Sequence, residues 1–195
     1  MEVYVNINGV LRNLIKKFEY HYNNNFLDSE IEVEENIIPF DYKITFPIRN
    51  DDLLQSFAFQ SKEEFNNFLY VDYPLEIFGH STLSYPAVIN DLHILIHENP
   101  DINFTIVGMD EFGKAKSSTL FFLSKYSFQG SNIKFILSKD IEKEWEKCDI
   151  WITDNNEILS KCPKNKKAIK FVTNYNTHIE TYDSEINNLS KINLL

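Results

Sequence analysis

The apolar pattern changes period within the first dozen residues. Glu2 to Ile7 alternates and is rich in β-branched side chains, whereas Leu11, Leu14, Ile15, Phe18 and Tyr22 recur at helical spacing over Val10 to Tyr22. This predicts strand, tight turn, helix. Asn23-Asn24-Asn25 breaks the helix, Glu30 to Glu35 is an acidic run, and Tyr42 to Ile48 alternates like a strand closing at Pro47, so residues 23–60 read as irregular with one strand. Ser61 followed by Glu64 has the form of a capping box, and Phe65, Phe68 and Leu69 give the stripe of a helix that stops before Pro74. A further helix is predicted from Pro86 to Glu98.

Short apolar runs at Ile102 to Val107, Ile133 to Leu137, Ile150 to Thr153 and Ala168 to Val172 follow. Helical segments at Ser117 to Lys125, Ile141 to Lys147 and Glu157 to Lys161 separate them. Strands that alternate with helices pair in parallel through right-handed crossovers, which predicts an α/β, doubly wound, Rossmann-like sheet of five strands. Neither a repeat nor a glycine-serine linker divides the chain, so one domain is expected over 1–195. The segment after Val172 carries Ile186, Leu189, Ile192, Leu194 and Leu195 on a polar background, a C-terminal tail (173–195) that docks onto its own domain or onto a neighbour.

The chain has 195 residues and a formal charge of −10, with 6 Lys and Arg against 16 Asp and Glu in residues 1–100 and 13 against 13 thereafter. An acidic half repels phosphate, which excludes non-specific nucleic-acid binding and favours basic protein partners. Cys148 and Cys162 form no Cys-x-x-Cys pair, so neither a zinc ribbon nor a disulfide framework is indicated, and folding in a reducing cytoplasm is expected. No leader pattern or membrane span is apparent. His93 and His97 lie four apart on a predicted helix face, but no third metal ligand accompanies them. A serine triad has no Gly-x-Ser-x-Gly elbow to stand on.

In a doubly wound sheet, chemistry gathers at the carboxyl ends of the strands. There the first strand runs into Asn6-Ile7-Asn8-Gly9-Val10. The segment resembles the Asp-x-Asp-Gly-Val first motif of the haloacid dehalogenase (HAD) superfamily with both aspartates replaced by asparagine. Other landmarks follow in order. Gly108 stands where that superfamily places a Ser or Thr, Lys114 and Lys116 precede the helix carrying Thr119 to Ser124, and Cys148-Asp149-Ile150-Trp151-Ile152-Thr153-Asp154-Asn155 is similar to the acidic fourth motif. The resemblance implies a HAD-like fold with a cap-type insertion at about 23–100. It also implies a site made of Asn6, Asn8, Gly108, Lys116, Asp149 and Asp154.

In that superfamily the first aspartate attacks phosphorus and helps hold Mg²⁺, and the second protonates the leaving group. Asparagine does neither, so the site is expected to be vestigial, with no catalytic residue, cofactor or metal. The alternative is a divergent Mg-dependent phosphatase or nucleotidase in which Asp149 or Asp154 binds a metal. Lys114 and Lys116 read either as a solvated helix start or as anion ligands. Aromatic residues concentrate between Phe40 and Tyr85, as core or as interface. With only 5 glycines, many Ile and Lys, and 22 asparagines, the chain also resembles HAD-like proteins of tailed bacteriophages, including the crAss-like group. That resemblance implies a structural or assembly protein, such as a head–tail junction ring subunit, with homo-oligomeric or virion protein partners.

Overall fold

In the computed structural model the described residues are 1–26, 53–128, 130, 132–180 and 182–194. The strand predicted at Tyr42 to Ile48 lies outside them. Six strands form one parallel sheet: β1 (Glu2–Asn6), β4 (Asn103–Met109), β5 (Ile133–Ile136), β6 (Ile150–Thr153), β7 (Lys167–Phe171) and β8 (Ser184–Ile186). Their spatial order is β5-β4-β1-β6-β7-β8. The chain therefore winds outward from β1 through β4 to β5, returns to β6 on the other side of β1, and winds outward again. This is the doubly wound order, whose switch point lies between β1 and β6. The register places Asn6 opposite Val107, and Val5 opposite both Ile106 and Ile152.

Alternation along β1 divides the core. Val3 and Val5 face a cluster that includes α4 (Val88–Glu98) and α5 (Lys116–Lys125), whereas Tyr4 faces Trp145, Trp151, Ile158 and Leu159 beneath α6 (Ile141–Trp145) and α7 (Asn156–Ser160). Strands buried on both faces are nearly all apolar, as the burial of all of Ile150–Thr153 shows. A third cluster gathers above the carboxyl edge of the sheet. It joins α1 (Leu14–His21) to α2 (Leu53–Ser56), α3 (Lys62–Asn67) and two π-helical turns at Phe68–Asp72 and Leu75–Gly79, with Phe18, Tyr22, Phe57 and Phe68 at its centre.

Two sequence expectations change and one open alternative is resolved. The sheet has six strands, because Ser184–Ile186 pairs with β7 instead of belonging to a tail. The C-terminal segment docks on its own domain, with Ile186, Leu189 and Leu194 buried in the main core. Helix α1 starts at Leu14, since the turn after β1 is closed by Leu11 N–H and Arg12 N–H on the Ile7 carbonyl and β2 (Arg12–Asn13) then pairs antiparallel with β3 (Thr82–Leu83). Asn13 Oδ1 caps α1 by accepting from Lys16 N–H at 3.2 Å. Ser61 caps α3 as predicted, accepting from Glu64 N–H at 3.1 Å, although Glu64 reaches back to Gln60 N–H.

Candidate functional site

The carboxyl ends of β1 and β6 meet at the switch point and open into a cleft of about 1130 Å³ roofed by α1 and the aromatic cluster. Asn6, Asn8, Gly9 and Asp154 line its floor. Gly9 adopts φ of +76°, and a Cβ there would collide with the Asp154 carboxylate, so only glycine lets the turn after β1 close onto the end of β6.

Each polar side chain on this floor is engaged from within the protein. Asn6 is 2% exposed, and its Oδ1 accepts from Trp151 Nε1–H at 2.8 Å. Because an indole nitrogen can only donate, this contact also fixes which amide atom is the oxygen. Asn8 Oδ1 accepts from the Arg12 guanidinium, through Nε at 3.0 Å and through Nη2. Tyr175 O–H donates to Asp154 Oδ2, and Asn176 Nδ2 donates to the Asp154 carbonyl at 3.0 Å. Asn155, also in the lining, caps α7, its Oδ1 accepting from Ile158 N–H at 2.9 Å.

Arg12 has no counterpart in the sequence reading. The residue is 1% exposed, and its guanidinium carbon lies 5.2 Å from the centres of both the Phe78 and Phe122 rings. It donates to Asn8, Thr119 Oγ1 and the Phe78 carbonyl, all neutral, and forms no salt bridge among the described residues. Burial pushes the guanidinium down to about 9, which leaves it charged at neutral pH.

Asp110, also absent from the sequence reading, is 6% exposed beyond the end of β4. Its carboxylate accepts the backbone N–H groups of Lys114, Ala115 and Lys116 at 3.1, 3.2 and 3.0 Å. An anion belonging to the chain thus occupies the start of α5, where free N–H groups could otherwise hold a phosphate.

The remaining predicted residues scatter. Gly108 lies within β4, where a Cβ would press on the Phe135 ring at 2.8 Å and on Ile7 Cδ1 at 3.4 Å, so packing resists a Ser or Thr there. Lys116 is exposed at the first residue of α5, with Nζ 5.7 Å from the Phe135 ring. Lys114 is exposed and lines a separate shallow notch. Asp149 does not join the site. It precedes β6 at the amino edge of the sheet, accepting from Glu2 N–H at 2.9 Å and pairing with Lys166 at 3.3 Å. The length of β6, at about 3.3 Å per residue, separates it from Asp154 by roughly 16 Å.

The HAD-like resemblance implies Mg²⁺, and these residues do not fit that ion. Hard dications need several oxygen ligands, charged ones above all. Here the floor offers one carboxylate, already hydrogen-bonded by Tyr175, and two carboxamide oxygens committed to Trp151 and to a cationic guanidinium. Among the described residues no three His, Cys, Asp or Glu side chains come together as a metal site, which includes His93 and His97.

No family model and no curated protein matches the chain. Nine chains of solved structures match. One of them is described as a haloacid dehalogenase-like hydrolase from Burkholderia xenovorans LB400, at 10% identity and a TM-score of 0.53, covering 97% of this chain and 93% of that one. At that identity the likeness concerns architecture alone, and the conclusion is architectural: this chain has a HAD-like α/β fold built on a parallel sheet.

Proposed function

We propose that this is a catalytically silent HAD-like protein that works as a binding or assembly module, in the role of a bacteriophage virion component such as a head–tail junction ring subunit. One observation carries the silence: at the positions that would attack, relay protons and hold metal, Asn6 Oδ1, Asn8 Oδ1 and Asp154 Oδ2 accept from Trp151, Arg12 and Tyr175. Loss of acid–base help alone is worth about 10²–10⁴ in rate, and loss of a nucleophile adds to that without simple additivity. Exposed Val71, Leu75, Phe112 and Phe121 supply apolar contact area for neighbours, and the formal charge of −10 favours basic ones. A cap-type role for the segment at about 23–100 belongs to the same proposal.

The test is incubation of purified protein with p-nitrophenyl phosphate and nucleoside monophosphates in Mg²⁺, beside light scattering after size exclusion. No turnover together with a defined multimer, or with copurification in particles, is the expected result. The second reading is a divergent phosphatase working through Asp154, and what favours it is the description of the Burkholderia neighbour as a hydrolase. Turnover abolished by Asp154→Ala would establish that reading.

A further inference from the structure

The geometry points to a peptide as the occupant of the cleft: an extended segment of a partner protein, carrying Lys or Arg among apolar side chains and lacking acidic ones. This inference rests on the reading of the chain as a silent binding module.

Charge is the first argument. Among the described residues lining the cleft there is no Lys or Arg, whereas Asp154 and Glu111, the latter accepting from Ser138 N–H at 2.7 Å, contribute carboxylates beside Glu157, which pairs with Lys161 at 2.8 Å. A phosphate ester or an acidic peptide would meet these carboxylates with no cation in the lining, since the Arg12 guanidinium is buried behind Asn8.

Hydrogen bonding is the second. Asn6, Asn8, Asn13 and Asn155 all line the cleft, and each has its Oδ1 taken by an internal donor. What each retains is its Nδ2 hydrogens, for which no partner occurs among the described residues. Asn6 is 2% exposed and lines the cleft. Thr173 Oγ1, in the same wall, is buried and has no hydrogen-bond partner among the described residues. Unmet polar groups beside a cavity are costly unless a ligand or water answers them. The cleft therefore presents neutral donors together with carboxylate acceptors.

Shape is the third. At about 1130 Å³ the cleft exceeds the usual ~300–1,000 Å³ of a small-molecule pocket. Its roof is apolar, with Leu14, Ile15, Phe65, Leu69 and Phe78. A sugar would satisfy the polar floor but leave that roof wet. A peptide backbone brings carbonyls for the amides and N–H groups for the carboxylates, while apolar side chains fill the roof and a Lys or Arg faces the acidic wall.

The experiment is selection from a random-peptide display library on the immobilised full-length protein. Synthetic copies of selected sequences are then titrated by fluorescence anisotropy and mapped by ¹⁵N NMR. Selected peptides should be rich in Lys or Arg and apolar residues and poor in Asp and Glu, and should shift the amides of Asn8 and Tyr175. Asn174→Arg, on the exposed rim of the cleft, should weaken them at least about tenfold without moving the unfolding midpoint. Acidic winners, binding indifferent to Asn174→Arg, or no enrichment at all would each overturn the inference. Those failures leave the silent reading standing, whereas hydrolysis of p-nitrophenyl phosphate would remove that reading whatever the peptides do.

Discussion

A carboxylate introduced at position 8 would meet a guanidinium already in place. Arg12 is buried among neutral acceptors, and Asn8 supplies two of its hydrogen bonds. Asn8→Asp should therefore raise the urea midpoint, since a charge-assisted bond is worth about 1 kcal/mol more than a neutral one, while Asn8→Ala should cost roughly 2 kcal/mol by stranding a buried cation. The same geometry limits chemistry. A double Asn6→Asp, Asn8→Asp variant restores both carboxylates of the first motif on paper, yet Arg12 would hold the one at the second position ionised, with no proton to give a leaving group near neutral pH. It should show no phosphatase turnover with Mg²⁺, and turnover in that variant would refute the claim that Arg12 and Trp151 silence the floor.

At the scale of elements, α5 depends on a single side chain. Asp110 accepts three backbone N–H groups at its start, so Asp110→Ala should destabilise by about 2 kcal/mol in equilibrium unfolding, the upper end for one cap, and Asp110→Ser should recover part of the loss. This cap was invisible in the sequence because Asp110 stands six residues before Lys116, outside the spacing of a capping box. The strands β4, β6 and β7 were legible because strands buried on both faces are written as short apolar runs, β1 because it alternates and is β-branched, and β5, half-buried at the sheet edge, because Ile133 to Leu137 is still mostly apolar. β8 was not, since only Ile186 of Ser184–Ile186 is buried and a polar edge strand resembles a loop. The floor of the site was legible as far as Asn6, Asn8 and Asp154, which follow strand ends in chain order. Trp151, Arg12 and Tyr175 were not, because nothing local marks an indole within β6, a buried arginine in a turn or a tyrosine 21 residues after Asp154 as facing that floor. Asp149 misled for the opposite reason: it is adjacent to the fourth-motif strand in sequence but stands at its amino end.

For the whole molecule, charge and burial make opposite predictions about acid. A formal charge of −10 implies self-repulsion that protonation relieves, which alone would stabilise the protein as pH falls. Burial acts the other way through His21, which stacks on Tyr73 at 5.5 Å and is pushed down from 6.5 to about 4, first by desolvation and then by Lys17 and His80. Between these values the unfolded chain binds a proton that the folded chain refuses, so stability is complete above about 6.5 and declines as pH falls toward 4. Glu144 extends the decline. Its burial raises the carboxyl, but hydrogen bonds from Lys134 and Lys147 outweigh that and hold it below the usual range, so its contribution is lost on further acidification. Ordinary carboxylates titrate mainly near 4, which leaves the interval from about 6.5 to 5 to histidine alone. Urea midpoints measured across that interval should fall as pH falls, and His21→Gln, which keeps a polar side chain but cannot titrate, should flatten the slope. A midpoint that rose on acidification in the parent protein would show that self-repulsion dominates and that His21 is solvated in the native state.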